Sequence, residues 1–474
     1  MSRLVAGFLS ASCTILWKGL ALAQGDEPAA EAWRNRPRVI PGDDGSTNES
    51  QPEAARRLAE EPGVDPADAA LSLPRAILGV PRAVMYTVFL PVEGLLYVTG
   101  KYQIPERVID FLYNDERNAA IIPYLSFLGG QGFTAGFSAF HGGLGKHDER
   151  ISLSAKFGGR YTQSYDLGFE APRVAGTIFS IDVGTRFEIE PRQNFWGYGP
   201  GPTQDGPLQE DIGPRQAHVK TIFQQQRGLV MLRPGFAVHD AVNIGVVGTL
   251  NHRKFDPRLD ETQSEPSIAE VYDTAKLPGF DQGYSLIQML ADIRVDTRSP
   301  RGATNSGVLL EVMGGGVPPQ GDFGYVHYGA AITGYIDLYG GDRVLLLHAS
   351  HEAVLGEDDD IPFADMPRLG GPHRLRGYDL NRFRDEKTAL VAIEYHYPVH
   401  EMVSASLFFE MGSVGRDYRV LIEPENYVFS GGGGLTFQTK EAKLFGFQIA
   451  GGDGVQFFFT TDPFDEFSKR GAEL

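Results

Sequence analysis

The sequence predicts an all-β fold: a 16-stranded antiparallel transmembrane β-barrel with a short N-terminal helical periplasmic segment. Three observations predict it. Apolar and charged side chains alternate with a period of two across much of residues 119–467, as strand geometry requires. Short turns interleave with long loops in the second half of the chain. Glycine supplies 58 of 474 residues and aromatics 11%, against a usual glycine share of about 7%, yet no uninterrupted apolar run reaches the ~20 residues of a helical span.

The elements follow in order. Residues 1–23 read as a signal peptide: Arg3, then a mostly apolar stretch from Leu4 to Leu22, with Ala21-Leu22-Ala23 as the small-x-small cleavage pattern. A lipoprotein signal at Cys13 fits less well, because Ser10 stands where leucine is usual. Cleavage would remove Cys13, the single cysteine, together with Arg3 and Lys18, taking the formal charge from −18 to −20. A thiol-free, acidic, exported chain fits a bacterial envelope protein and argues against nucleic-acid binding. Residues 24–72, rich in Ala, Glu, Asp and Pro, read as a disordered acidic lead-in. Residues 73–118 read as an amphipathic helical periplasmic segment. Arg82, Pro91 and Glu93 interrupt it, so it suits a membrane surface or a barrel mouth better than a span.

Barrel strands are expected over Pro123–Leu128, Phe133–Phe140, Ile151–Phe157, Tyr161–Phe169, Thr177–Ile189, Leu229–His239, Val242–Phe255 and Leu286–Arg298. The second eight are Gly307–Gly315, Tyr325–Tyr339, Arg343–Val354, Leu390–Val399, Ser404–Val414, Val428–Thr439, Leu444–Ala450 and Val455–Thr461. The clearest is the eighth. Ile287, Met289, Ala291, Ile293 and Val295 share one face; Gln288, Asp292, Arg294, Asp296 and Arg298 share the other. In a membrane barrel the apolar face meets lipid, and Asp292, Arg294, Asp296 and Arg298 become lumen charges. Turns such as Asp240-Ala241 and His400–Val403 alternate with loops 190–214, 256–284, 355–389 and 415–427. That parity belongs to an outer-membrane barrel. A tail, 468–474, follows.

Loop 355–389 carries Leu369-Gly370-Gly371-Pro372-His373-Arg374-Leu375-Arg376-Gly377-Tyr378, then Phe383 and Asp385; the next two strands carry Glu394 and Glu410. Arg376 is a permanently charged, forked donor that must meet carboxylates or stay hydrated inside a barrel. Gly377 permits a tight turn and close approach to the wall, and Tyr378 can stack there. With Asp296-Thr297-Arg298-Ser299-Pro300-Arg301-Gly302 at an earlier strand-to-turn junction, this set resembles the BamA/TamA-type outer-membrane barrels of the bacterial surface antigen superfamily, over about residues 120–467. Their hallmark is a (V/L)-R-G-(F/Y) loop folded into the lumen. The resemblance implies that Arg376 docks on Glu410, where the family usually has Asp, with Glu394 as second partner. Arg376, Gly377 and Tyr378 would form an inner-loop latch on these wall residues, and the residues alone favour a structural latch without direct chemistry. Assembly and secretion members carry POTRA repeats before the barrel. Residues 24–120 show no such pattern, so the likeness is to members lacking them and no POTRA-mediated partner is expected.

The resemblance further implies an integral outer-membrane protein related to assembly, insertion or translocation of proteins or lipids. Outer-membrane lipid and lipopolysaccharide would be its surroundings, and protein or lipid its clients. A passive porin-like channel, with the lumen charges setting selectivity, and a structural surface protein are the alternatives. An enzyme is not expected: no Gly-x-Ser-x-Gly elbow occurs, and His351-Glu352 lacks a zincin's second histidine. Nor is a cofactor or metal, since the acidic run Glu357–Asp360 reads as a solvated tip and Gly451-Gly452-Asp453-Gly454 as a turn or kink. Gly431–Gly434 would allow bending or close approach of the inner loop. Phe195-Trp196-Gly197-Tyr198 opens another long loop and suits either the membrane boundary or the interior.

Overall fold

The computed structural model describes residues 112–116, 118–128, 132–145, 149–158, 162–202, 212–216, 218–257, 265–299, 304–339, 343–400, 403–438 and 443–460. The expected signal peptide, the lead-in, nearly all of the helical segment and the tail 468–474 lie outside these residues. The strands are β1 (Ala119–Leu128), β2 (Gly132–Gly142), β3 (Arg150–Gly158), β4 (Thr162–Ala171), β5 (Phe179–Phe195), β6 (Thr221–His239), β7 (Val242–Asp256), β8 (Tyr284–Asp296), β9 (Gly307–Gln320), β10 (Phe323–Asp337) and β11 (Val344–Leu355). Two short strands follow, β12 (Arg368–Leu369) and β13 (Phe383–Arg384). The chain continues with β14 (Lys387–His400), β15 (Val403–Gly415), β16 (Val428–Gln438), β17 (Lys443–Gly452) and β18 (Gly454–Thr460). Sixteen of them close into one antiparallel barrel in chain order, while β12 and β13 pair only with each other. The predicted strands all appear, with shifted ends.

Alternation explains the wall. Along β8, Leu286, Gln288, Leu290 and Asp292 are buried, whereas Ile287, Met289 and Ile293 are exposed, Met289 at 55%. Exposed Phe133, Leu153, Phe187, Leu232, Val326 and Phe409 continue the outer belt around the barrel. Water would penalise so large an apolar surface; hydrocarbon does not. A cation on this face near mid-strand is therefore costly. Met289→Arg should lower folding stability by ~2–4 kcal/mol in lipid vesicles, read from urea titrations of refolding.

The four long loops leave the same end of the barrel, because each follows an odd-numbered barrel strand. That end also carries tight turns, at Gly321 between β9 and β10 and at Asp453 between β17 and β18. Loop 190–214 begins later than expected. β5 and β6 run 17 and 19 residues, well past the roughly 9–11 that a tilted strand needs to cross, and rise above the membrane as a ribbon. Phe195, Trp196 and Tyr198 turn inward and are buried. Phe195 and Phe223 join Phe255, Phe280 and Phe363 in a cluster of edge-to-face and stacked rings built from the long loops and the adjoining strand ends. Asp365 fastens this cap by accepting hydrogen bonds from the hydroxyls of Tyr284, at 2.8 Å, and Tyr325, at 3.0 Å.

β8 ends at Asp296; Arg298 lies just past it, between Thr297 and Ser299, which still bond Val308 and Ser306, and it folds back onto Asp296 at 2.8 Å. Asp292 is inward and buried against Arg233 at 2.6 Å, and Arg294 lies 3.5 Å from Asp296. Asp292 thus ties β8 to β6, whereas Arg294 and Arg298 pair with Asp296 of their own stretch of chain.

Candidate functional site

The segment between β11 and β14 folds into the barrel. The β12–β13 ladder, Arg368 opposite Arg384 and Leu369 opposite Phe383, pinches its base. Gly370 and Gly371 turn the chain at φ of +108° and +113°, angles that a side chain rarely adopts. Leu375 takes φ +57° although it carries a side chain, which costs on the order of 1–2 kcal/mol. Its compensation is burial with Leu369 and Phe383 against Leu390 and Val414 of the wall.

That geometry aims Arg376 at the wall, where it is 0% exposed. Its Nε donates to Glu410 Oε1 at 2.8 Å, and its backbone N–H to Glu410 Oε2 at 2.6 Å. One Nη donates to Glu394 Oε2 at 2.8 Å and the other to Gln448 Oε1 at 3.2 Å. The guanidinium lies 3.5 Å from the centre of the Phe408 ring, a cation–π contact. Gly432, opposite Phe408 in register, supplies the room: a Cβ there would lie 2.7 Å from the ring. The glycine run thus serves Arg376 through Phe408. His396 holds the other oxygen of Glu394 at 2.7 Å.

The neighbours of Arg376 extend its grip toward the end of the sheet. Gly377 N–H donates to Ser430 Oγ at 2.8 Å, and Asp453 N–H to Gly377 O at 3.2 Å. A Cβ on Gly377 would lie 2.3 Å from the carbonyl oxygen of Gly451. The Gly451–Gly454 motif is the β17–β18 turn and also the seat of the loop. Tyr378 packs edge-on against Phe383, with ring centres 5.0 Å apart. Asp379 accepts from Gln456 of β18 at 2.8 Å and from Lys220 at 3.0 Å. Asn381 then reaches Gln193 of β5 at 3.2 Å, so the loop spans the lumen from the last strand to the fifth.

Sequence reasoning brought Arg376, Gly377, Glu394 and Glu410 to one place and missed Phe408, Ser430, Gln448 and Asp379. It also missed the cap side of the loop. Arg382 lies over Trp196 and Phe383, and Arg384 over Phe195 and Phe363. Arg215 pairs with Asp385 at 2.8 Å, while burial still holds the Asp385 carboxyl above its usual range. Asp292, Arg294, Asp296 and Arg298 have their ion-pair partners elsewhere, as described above.

An Omp85 superfamily domain model matches residues 144–444, more than half of the chain. Among solved structures, BamA from Haemophilus ducreyi lacking POTRA domains 1–3 is similar at a TM-score of 0.50 and 14% identity, over 72% of this chain and 69% of that one. CdiB from Escherichia coli has a TM-score of 0.45 at 10% identity over 72% and 62% of the two chains. CdiB from Acinetobacter baumannii has 0.44 at 13% over 72% and 58%. At these identities the likeness concerns fold alone, and this chain spans less than two thirds of either CdiB. No curated protein matches the chain. A closed barrel with an apolar belt and an inturned Arg-Gly-Tyr loop, under a domain model covering most of its length, places this chain in the Omp85 superfamily as an integral protein of the bacterial outer membrane.

Proposed function

We propose that this barrel helps proteins or lipids to insert into or cross the outer membrane, by opening sideways between β1 and β18 under control of the Arg376 loop. The observation that carries this reading is the seam. Among the described residues β1 and β18 share one register pair, Leu128 opposite Phe458, whereas β1 and β2 stay in register from Ala119 to Leu128. Ladder bonds resist sideways separation roughly in proportion to their number, so the wall parts first there. The latch lies close by: Gly377 seats on the β17–β18 turn, and Asp379 holds Gln456 on β18 itself. Movement of the loop and movement of the seam strand are therefore mechanically linked. The lumen, filled by the loop and covered by the aromatic cap, is poorly suited to a passive channel.

Locking the seam tests this. Residues 24–474 contain no cysteine, and directly opposed antiparallel positions lie about 4.5–5.5 Å apart, within disulfide reach. Leu128→Cys with Phe458→Cys should abolish complementation in a strain depleted of the wild-type copy, scored by loss of other barrel proteins or of lipid. Reductant should restore it. Undiminished complementation by the oxidised form removes lateral opening.

A further inference from the structure

A second feature of the lumen lies apart from the latch. Between the loop and the wall of β3 to β7 is a polar cavity of about 370 Å³, within the size range of small-molecule sites, roughly 300–1,000 Å³. Most of its charges are matched: Arg186 pairs with Asp166, Arg227 with Glu188 at 3.5 Å, and Arg374 with Glu352 at 3.3 Å. Glu190 is held by the amides of Gln193 and Gln225. Six Lys and Arg side chains line the cavity against four carboxylates, a surplus of two positive charges.

Arg253 is 1% exposed; it shares Asp365 at 3.5 Å with two tyrosines, and its Nε has no hydrogen-bond partner. Lys156 and Arg368 line the cavity; among the described residues neither has an ion pair within 4.0 Å, and Glu190 is the carboxylate they share at longer range. A positive surplus inside a chain of formal charge −18 is costly unless an anion or water compensates it. Arginine's planar fork suits phosphate and carboxylate oxygens. The cavity is far larger than a bare anion, and Gln163, Ser164 and Asn381 on its wall offer donors and acceptors of the kind that hydroxyl groups meet.

We propose that this cavity binds an anionic saccharide, a sugar bearing phosphate or carboxylate, with Arg253, Arg368 and Lys156 on the charged group and the amides on the ring. Such a group occurs both as a free sugar phosphate and as a lipid-linked headgroup. Either would bridge the loop, through Arg368 and Asn381, to the wall, through Lys156 and Arg253. The site does not depend on lateral opening.

Calorimetric titration of the full chain, refolded in detergent, with glucose 6-phosphate tests it. Saturable binding is expected, with glucose and inorganic phosphate each at least about tenfold weaker. Arg368→Gln should weaken it by roughly tenfold without disturbing an existing ion pair, and Lys156→Gln is a second variant should the first fail to fold. Competition by lipopolysaccharide micelles would identify a lipid-linked source, and its absence a soluble one. No saturation at millimolar sugar phosphate overturns the proposal, as does equal binding of inorganic phosphate or equal affinity in both variants.

Discussion

Arg376→Ala is expected to free the inner loop and lower the barrel's unfolding stability by ~3–5 kcal/mol, the usual consequence of removing one partner from a buried ion pair. Two carboxylates lose their partner at once. Glu394 and Glu410 are both almost wholly buried, and among the described residues His396 and Ser430 are the side chains that still bond them once the loop leaves. Arg376→Lys should recover part of the loss. A single ammonium keeps the charge but cannot reach both carboxylates in one plane or lie flat on Phe408. Limited trypsin digestion separates loop release from global unfolding. Arg374 and Arg382 lie on the loop and are largely buried; in Arg376→Ala they should be cut while the strands stay resistant. Planar-bilayer recordings should show small openings that grow in the same variant. An uncut loop and unchanged recordings in Arg376→Ala would mean that Arg376 holds nothing.

Part of this site was legible before any coordinates, and the reason is strand parity. Side chains alternate strictly, so Glu394 and Glu410 could be placed on the inward faces of consecutive strands, and one arginine on an inturned loop is the natural complement. Strand number, order and most boundaries follow from the same alternation. Parity says nothing about shear, the offset that decides which inward residues of non-adjacent strands share a level in the lumen. Gln448, two strands from Glu410, is brought to Arg376 by that offset alone. Asp379 and Gln456 meet for the same reason. The aromatic cap was unreadable on other grounds. Phe195 ends β5, Phe280 and Phe363 lie on two separate loops, and no local periodicity records that they converge. Arg298 lies two residues past the end of β8, where pairing with the next strand continues and its guanidinium folds back onto Asp296.

Gly377→Ala should release the loop as completely as Arg376→Ala although every charge is retained. The cause here is space. An added Cβ would meet Gly451 O at 2.3 Å and Gly452 N at 2.7 Å, backbone atoms of the β17–β18 turn that cannot move as a side-chain tip would. Overpacking of this kind costs about 1–3 kcal/mol when neighbours can yield. Where they cannot, the cheaper response is for the loop to leave, and the carboxylates are then stranded as if the arginine had been removed. Gly452→Ala approaches the same contact from the wall, its Cβ falling 2.7 Å from Gly377 O and 2.8 Å from the Tyr378 ring, and should give the same trypsin pattern. Gly431→Ala is the control: its Cβ meets nothing closer than 3.6 Å, and the loop should stay protected. If the two disruptions share one route, the double variant Arg376→Ala with Gly377→Ala should lose no more stability than the worse single variant, since contacts broken together do not add. Full additivity would instead mean that the glycine contact and the arginine contact hold separate parts of the barrel, and that the loop is not one latch.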